Sequence, residues 1–145
     1  MEKSTDTQAA SQRPHIVEIG KIADPRGNLS VIEGHKVIPF DVRRVFYLYD
    51  VPADSCRGGH AHHTDWQFLI AVAGSFDVIV SDGCAQQRYT LNRPYRGLLI
   101  PPGYWRVMDN FSAGSVCLVL SNNPYDESDY IRDYDEFVRT RKQHE

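Results

Sequence analysis

The sequence of 145 residues lacks three features that would each point to a class of protein. No uninterrupted apolar run approaches the roughly 18 residues that a membrane span needs, so we expect no insertion in a membrane. The net charge is −3 and the basic residues are scattered, so the broad positive surface typical of nucleic-acid binding is missing. A glycine-rich phosphate loop is absent as well. Any anion that this chain binds should therefore be small.

Cysteine is scarce and shows no pairing pattern. Cys56, Cys84 and Cys117 are odd in number, have no CxxC spacing and stand beside apolar residues. This usage is typical of a reducing compartment. It predicts a cytoplasmic protein in which all three cysteines are packing residues.

Composition along the chain changes only at its beginning. Residues 1–14, MEKSTDTQAASQRP, are polar and small and contain no apolar signal core, which predicts a disordered arm rather than a targeting peptide. Residues 15–145 show no repeat or linker, and their number fits one domain. We therefore expect the arm to be followed by a single domain.

Short runs of β-branched and aromatic residues, cut by turn residues, follow one another up to about residue 122. They are typical of an all-β sandwich or barrel. The predicted strands are HIVEIGKI, LSVIEG, VRRVFYLYDV, WQFLIAVAG, SFDVIVSDG, QRYTLN, GLLIPP, YWRVMDN and SVCLVLSN.

Only the last stretch changes its period. In SDYIRDYDEFVRTRKQ, residues 128–143, apolar side chains recur at spacings of three and four, at Ile131, Tyr134, Phe137 and Val138. Ser128 or Asp129 is available as a cap, so the pattern predicts a terminal helix or helical turns that pack on the barrel.

The stretch RGGHAHHTDWQ, residues 57–67, puts three histidines within four positions. It fits a metal site, a pair of proton-transfer groups, or a polar strand end. His60 and His62 are two apart and so share one face of a strand, whereas His63 alternates outward. Because an imidazole ordinarily titrates near pH 6.5, either inward ring is suited to act as acid or base near neutrality.

An all-β chain with His-x-His resembles the cupin family. His60 and His62 supply the two histidines of the first cupin motif, and Gln67 stands where its glutamate is expected. In the second motif Arg106 replaces the histidine, while the spacing is kept by Pro101, Gly103 and Asn110. The glycine that leads each motif is replaced, by Asp54 and by Tyr95. The resemblance implies an all-β jelly-roll barrel, here with a short C-terminal helical segment.

The two replacements bear on metal binding, because a cupin metal is normally held at these four positions. A guanidinium stays protonated and only donates hydrogen bonds, so Arg106 puts a positive charge where a cation would sit. Gln67 removes the anionic ligand. We therefore predict no metal and no other cofactor, and a pocket equipped for acid–base chemistry.

Longer segments are similar to the WxcM-like sugar-nucleotide cupins, the dTDP-4-keto-6-deoxyhexose 3,4-ketoisomerases. The similarity spans residues 15–138 and departs at Gly59, where a bulky residue is expected, and at His63, where lysine is usual. It implies a homodimer that converts dTDP-4-keto-6-deoxyglucose to a 3-keto sugar. The segments that carry it are RGGHAHH, GLLIPPGYW, NFSAGSVCLVL and DYIRDYDEF.

The implied reaction removes the proton at C3, passes through an enediol(ate) and returns a proton at C4. It needs a base, an acid and donors for the developing oxyanion. His62 is the leading candidate for the base and His60 for its partner in proton relay, with the order of the two left open.

Further candidates surround this pair. Tyr47 is either a third catalytic residue, donating to the sugar, or a core residue, and Tyr49 shares its face of the strand as a substrate-binding candidate. Arg57 is a candidate for binding the pyrophosphate or the sugar. Its alternative role is that of a charged residue on the surface at the end of a strand. Arg106 is the favoured partner of the diphosphate, with Gln67 also facing the pocket. Trp105, like Tyr104, fits either stacking on the nucleobase or packing.

Two rival functions stay open. A 3,5-epimerase of the same 4-keto sugars shares DPRGNL and RG-x-H, although its pattern lacks the second histidine of HAH. A non-catalytic sugar-binding cupin is the other rival, because the same donors bind hydroxyl groups well.

Overall fold

The computed structural model describes residues 13–143, so the arm predicted over residues 1–14 falls outside the described residues except for Arg13 and Pro14. Within that range a 3-10 turn spans Glu127–Asp129 and one α-helix, α1, spans Tyr134–Gln143. The strands are β1 (His15–Glu18), β2 (Arg44–Leu48), β3 (Arg57–His62), β4 (Gln67–Ala73), β5 (Phe76–Ser81), β6 (Gln86–Leu91), β7 (Arg96–Ile100), β8 (Trp105–Asp109), β9 (Val116–Ser121) and β10 (Tyr130–Ile131).

The strands form two five-stranded sheets. The first has the order β1-β7-β4-β9-β2 and the second the order β10-β3-β8-β5-β6, with every neighbouring pair antiparallel. Strands that are adjacent in a sheet are mostly distant in sequence, as in a jelly roll. The predicted all-β jelly-roll class with a short C-terminal helix is confirmed. No helix within residues 13–143 is long and apolar enough to span a membrane.

The main core lies between the two sheets. Alternate residues of each strand point inward, so the sheets bury their apolar faces on one another. Burying each large side chain contributes about 1.5–3 kcal/mol, which makes the barrel wall a firm support for a site. The inward side chains include Leu69, Leu98, Ile100 and Val119 of the first sheet and Phe76, Val78, Leu91 and Met108 of the second.

The outer face of the first sheet is covered by the chain before β2. Ile38 and Phe40 are buried there against Phe68 and Leu99. The strand predicted over LSVIEG, residues 29–34, is wrong, since isolated bridges from Leu29 to Ile22 and from Gly34 to Ile38 stand in its place. The segment lies across the face of the sheet, so its apolar residues serve to cover side chains and do not extend the ladder.

The outer face of the second sheet carries α1. Phe137 is buried against Ala61 and Ile131. The helix begins at Tyr134, later than the predicted cap at Ser128 or Asp129 allows, because Ile131 pairs with Ala61 as part of β10. Asp133 then caps the helix, with its carbonyl accepting from Phe137 N and its carboxylate from Asp135 N.

The cysteines divide by exposure. Cys117 is fully buried in the main core, and burial raises the pKa of its thiol to about 12. Cys56 and Cys84 are exposed. The prediction that all three are packing residues is therefore wrong for these two, since each stands in a loop or turn where no sheet covers it.

Candidate active site

A β-bulge sets the register of the strand that carries the histidines. Arg57 of β3 is opposite Met108 of β8, but His60 is opposite Arg106, so β3 has one extra residue between the two pairs. Gly58 takes up the bulge with φ +78, and a Cβ there would lie 3.1 Å from the Met108 side chain. The bulge thus brings His60 beside Arg106.

His60 and His62 form an aromatic cluster with Tyr130 of β10. The two imidazole centroids are 4.8 Å apart at 89°, and the tyrosine ring lies 5.0 Å from His60 and 4.3 Å from His62. His62 is only 1% exposed, His60 is half-buried and His63 is exposed. The strand alternation predicted for these three residues is confirmed.

Burial is the main influence on the charge of both inward rings. It lowers the pKa of His60 and of His62 to about 2, and the nearby Arg106 guanidinium adds to the effect. Both imidazoles are therefore neutral at neutral pH. A neutral imidazole keeps a lone pair on one nitrogen, which can accept a proton.

The two nitrogens of His62 have different surroundings. Nδ1 lies 3.1 Å from Oδ2 of Asp129, whose side chain is also nearly buried. Nε2 is buried and has no hydrogen-bond partner among residues 13–143. The Asp129 contact does not require a charged ring, since a neutral imidazole donates through one nitrogen and accepts through the other.

Arg106 reaches across the barrel from β8 to β4. Its Nη1 donates to Gln67 Oε1 at 2.7 Å, and Gln67 Nε2 in turn donates to Asp65 Oδ2 at 3.0 Å. The same carboxylate oxygen also accepts from Ser121 Oγ and, at 3.3 Å, from Arg44 Nη2. Both ends of the Gln67 amide are engaged, so Gln67 holds Arg106 in place.

The guanidinium of Arg106 is fully buried and is bonded through Gln67 to its nearest carboxylate. Burial lowers its pKa to about 10, which leaves it cationic at neutral pH. Its Nε has no partner among the described residues. A buried cation with a spare donor favours an anion or a developing oxyanion beside it.

Aromatic and charged side chains border the histidines on the β10 side. Arg132 stacks 4.3 Å over the Tyr130 ring and donates through Nε to Glu127 at 2.6 Å. Arg44 of β2 lies over the Tyr125 ring at 5.6 Å and approaches the Tyr130 hydroxyl at 3.5 Å. Arg44 therefore links an end strand of each sheet.

The residues at the cupin metal positions do not fit a metal ion. Arg106 only donates and is positively charged, and Gln67 Oε1 already accepts from it. Residues 13–143 include one other group with three close ligand atoms, His62, Asp65 and Asp129. Its carboxylates already accept hydrogen bonds from backbone and side chains, and Arg44 adds a positive charge.

Three of the sequence candidates lie apart from this cluster. Tyr47 is on the face of β2 opposite Arg44, Phe46 and Leu48, and Tyr49 follows directly after the strand; both tyrosines are about 60% exposed. They line a separate cavity of about 470 Å³ that also includes Arg57. The structure does not bring Tyr47 to the histidines, because Phe46 and Leu48 fill the inward face of this strand.

Trp105 also points away from the pocket. It precedes Arg106 on β8, so the alternation of the strand turns its ring outward. There it packs edge-on against Tyr134 at 5.3 Å and against Phe137 at 5.8 Å. Of the two alternatives for Trp105, these contacts fit packing, since helix α1 lies against the ring.

The sequence analysis missed five residues of the cluster. Four of them share no local pattern with the histidines and are brought in by pairing between distant strands, whereas Asp65 stands in the histidine stretch itself, two residues before Gln67. The DYIRDYDEF motif offered a signal for two of them, but its helical spacing hid their role. The missed residues are Arg44, Asp65, Ser121, Asp129 and Tyr130.

A family model and a relative of named activity each match most of the chain. A family model described as "FdtA: WxcM-like, C-terminal" matches residues 12–142. The chain is 43% identical over 124 residues to the TDP-4-oxo-6-deoxy-alpha-D-glucose-3,4-oxoisomerase of Aneurinibacillus thermoaerophilus. The match covers 86% of this chain and 89% of that protein.

Solved structures extend the likeness to three dimensions. A 3,4-ketoisomerase from Helicobacter canadensis is 43% identical with a TM-score of 0.87, covering 89% of this chain and 97% of that one. A histidine-to-asparagine mutant of the 3,4-ketoisomerase QdtA from Thermoanaerobacterium thermosaccharolyticum, in complex with TDP-4-keto-6-deoxyglucose, is 39% identical with a TM-score of 0.88, covering 90% and 95%. A dTDP-4-dehydrorhamnose 3,5-epimerase from Bacillus anthracis is only 16% identical over 81% of this chain and 76% of its own, with a TM-score of 0.72, and shares the fold.

Proposed function

The chain belongs to the family described as "FdtA: WxcM-like, C-terminal", and on this basis we propose that it is a TDP-sugar 3,4-ketoisomerase. Its substrate is a TDP-linked 4-keto-6-deoxyhexose and its product the corresponding 3-keto sugar. The observation that carries the proposal is the pair of neutral, inward-facing imidazoles of His60 and His62 beside the buried cation of Arg106. The 43% identical relative named as a 3,4-oxoisomerase supports the same reaction.

The reaction is an internal rearrangement that needs only proton transfers. A base removes the proton from C3, and the electron pair forms the C3=C4 bond while the C4 carbonyl oxygen becomes anionic. That oxygen gains a proton, the C3 hydroxyl loses its own, and an acid returns a proton to C4. Two imidazoles and a cationic donor supply every group that these steps require.

We assign His62 as the base and His60 as its partner in proton relay. The buried and unpartnered Nε2 of His62 supports this order. Arg106 is assigned to the developing enediolate oxygen or to the diphosphate, because both are anions and no carboxylate among residues 13–143 bonds the guanidinium directly. Gln67 acts through Arg106 by fixing it at 2.7 Å.

Arg57, Tyr47 and Tyr49 are assigned to the nucleotide part of the substrate rather than to the reacting hexose. They share a cavity of about 470 Å³, which lies within the usual size of a ligand pocket. A guanidinium beside two exposed rings is suited to bind a diphosphate next to a nucleobase.

The same proposal includes a homodimer in the cytoplasm. Val45 and Val72 are 54% and 42% exposed on the outer face of the first sheet, and β2 is an end strand that a second copy would cover. The exposed thiols of Cys56 and Cys84 suit a reducing compartment. Light scattering should give the mass of two chains, and a monomer at micromolar concentration would contradict the dimer.

Incubation with TDP-4-keto-6-deoxyglucose in deuterated water tests the activity against its two rivals. The proposal predicts deuterium at C4 together with a ketone at C3. Exchange at C3 and C5 with the ketone still at C4 would instead identify a 3,5-epimerase. Binding of the sugar nucleotide with no exchange at any carbon would identify a binding protein.

A further inference from the structure

The carboxylate of Asp129 has a place in the site that the sequence pattern did not suggest. We infer that Asp129 is a positioning residue, which fixes His62 in the tautomer with hydrogen on Nδ1 and leaves Nε2 as the proton-accepting atom. The tautomer follows from the geometry alone, whereas its effect on turnover rests on the proposed function.

Asp129 is held independently of the histidine. Its Oδ1 accepts from the backbone N and the hydroxyl of Thr64, each at 2.8 Å. Its Oδ2 accepts from Asp65 N at 3.2 Å and faces His62 Nδ1 at 3.1 Å. Three donors from residues 64 and 65 therefore set the direction of the carboxylate before the ring is considered.

The backbone adds a further constraint on the same pair. The carbonyl of Asp129 accepts from His63 N at 2.9 Å, and Tyr130 pairs with His62 across β10 and β3. The loop that carries Asp129 is thus tied to the end of the histidine strand at main-chain level. A carboxylate set on such a support keeps its distance to the ring without relying on a flexible side chain.

The chemistry of the two partners determines the tautomer. An ionised carboxylate only accepts hydrogen bonds, so the nitrogen that faces it must carry the hydrogen. In a neutral imidazole the other nitrogen then bears the lone pair. That atom is Nε2, which is buried and has no partner among residues 13–143.

The same contact gains strength when the ring accepts a proton. An imidazolium formed in the transition state lies 3.1 Å from the Asp129 oxygen, and a charge-assisted hydrogen bond is stronger than a neutral one. His60 is held differently, by ring contacts with His62 and Tyr130. The assignment therefore separates the two histidines, with only His62 oriented by a carboxylate.

The substitution Asp129→Asn tests the inference, because an amide cannot accept at both positions. Either orientation turns its NH₂ group toward a backbone N–H of Thr64 or Asp65, and one of the two also turns it toward Nδ1. We expect ¹⁵N spectra of histidine-labelled wild-type protein to show His62 protonated at Nδ1 and bare at Nε2. The orientation that keeps the amide oxygen on Thr64 retains the two bonds of 2.8 Å, gives up only the 3.2 Å bond from Asp65 N, and turns NH₂ toward Nδ1. In the variant, hydrogen should therefore shift to Nε2 and kcat should fall by about 100-fold or more, with KM little changed.

Asp126→Asn is the matched control. Asp126 is on the same loop and its carboxylate accepts only from Ser128 N and Oγ among its described contacts, away from the ring. This variant should keep the wild-type tautomer and a kcat within about twofold of wild type. A loss of activity in both variants with no change of tautomer would overturn the inference, since it would mark a general effect on the loop.

A wild-type His62 that carries its hydrogen on Nε2 would overturn the inference directly, even if Asp129→Asn failed to fold. Unchanged kcat in a folded Asp129→Asn variant would overturn it as well. The ¹⁵N measurement needs no substrate, so a wild-type protein that shows the expected tautomer but no isomerase activity would refute the proposed function and leave the positioning role supported.

Discussion

Arg106 stands where a cupin normally has a histidine ligand, and Gln67 stands where it has a glutamate. These two replacements change the chemistry of the pocket. The guanidinium donates to the amide at 2.7 Å and the amide passes the contact on to Asp65. A fixed cation at one of the four ligand positions does not fit a metal ion held by His60 and His62. Their neutral rings are then free for proton transfer.

The low pKa of both histidines makes stability depend on pH. Each folded-state pKa is about 2, below the ordinary 6.5 of the unfolded chain, so the unfolded chain binds more protons between these values. The stabilisation is fully present above pH 6.5 and is lost as the pH falls. At pH 5 the loss is about 2 kcal/mol for each ring. Urea unfolding at pH 7 and pH 5 measures it.

The double variant His60→Asn, His62→Asn separates this effect from other titrating groups. Its stability should fall less between pH 7 and pH 5 than that of the wild type. An equal fall in both proteins would contradict neutral burial of the two rings. The exposed neighbour His63, replaced by asparagine, should leave the wild-type pH dependence unchanged.

At the scale of elements, strand β3 is packed on both faces. Its inward side chains are the histidines, whereas Ala61 between them contacts Ile131 and Phe137 on the outer side. Phe137 is the buried residue of helix α1, with 1% of its surface exposed. Its ring therefore makes the main contact between the helix and the strand. The helix therefore supports the site without contributing to it directly.

Phe137→Ala should lower the free energy of unfolding by about 3 kcal/mol or more, because it removes a large buried ring and leaves a cavity. Urea unfolding is the measurement. Arg139→Ala, at an exposed position of the same helix, is the control and should change stability by less than about 0.5 kcal/mol. A loss below about 1 kcal/mol for Phe137→Ala would show that α1 does not anchor β3.

The sequence predicted those elements whose pattern is local. Alternating apolar residues and turn residues were sufficient to predict strands β4 to β9. A spacing of two residues was sufficient to predict that His60 and His62 share one face. Alternation does not say which face is inside, however, so Tyr47 could not be distinguished from Phe46 as the inward ring. The contact of His62 with Asp129 joins residues 67 apart in the chain, and no local pattern encodes it.

Ile131 illustrates a second limit of local patterns. Its spacing from Tyr134 and Phe137 fits a helix, but pairing with Ala61 satisfies its backbone in a two-residue strand. Tertiary contacts override such a weak preference. The same holds for LSVIEG, which forms no ladder: Leu29 and Val31 are exposed, while Ile32 packs on the first sheet.

At the scale of the whole molecule, the barrel divides into an apolar interior and a polar end. The interior packs Leu69, Leu98 and Val119 against Phe76 and Val78, while the polar groups join the two sheets through side chains. Arg106 to Gln67 is one such connection and Arg44 to Tyr130 is another. The site therefore depends on both sheets being in register, which a rigid core secures.

The central claim is that this barrel isomerises its sugar through the His60 and His62 pair and without a metal ion. The most direct test measures metal content and the rate of C4 deuteration on one chelator-treated sample of wild-type protein. The account predicts an unchanged rate without stoichiometric metal, and a fall of about 100-fold or more in the double variant His60→Asn, His62→Asn. Activity that chelation abolishes and zinc, iron or manganese restores would contradict it, as would full turnover by the double variant.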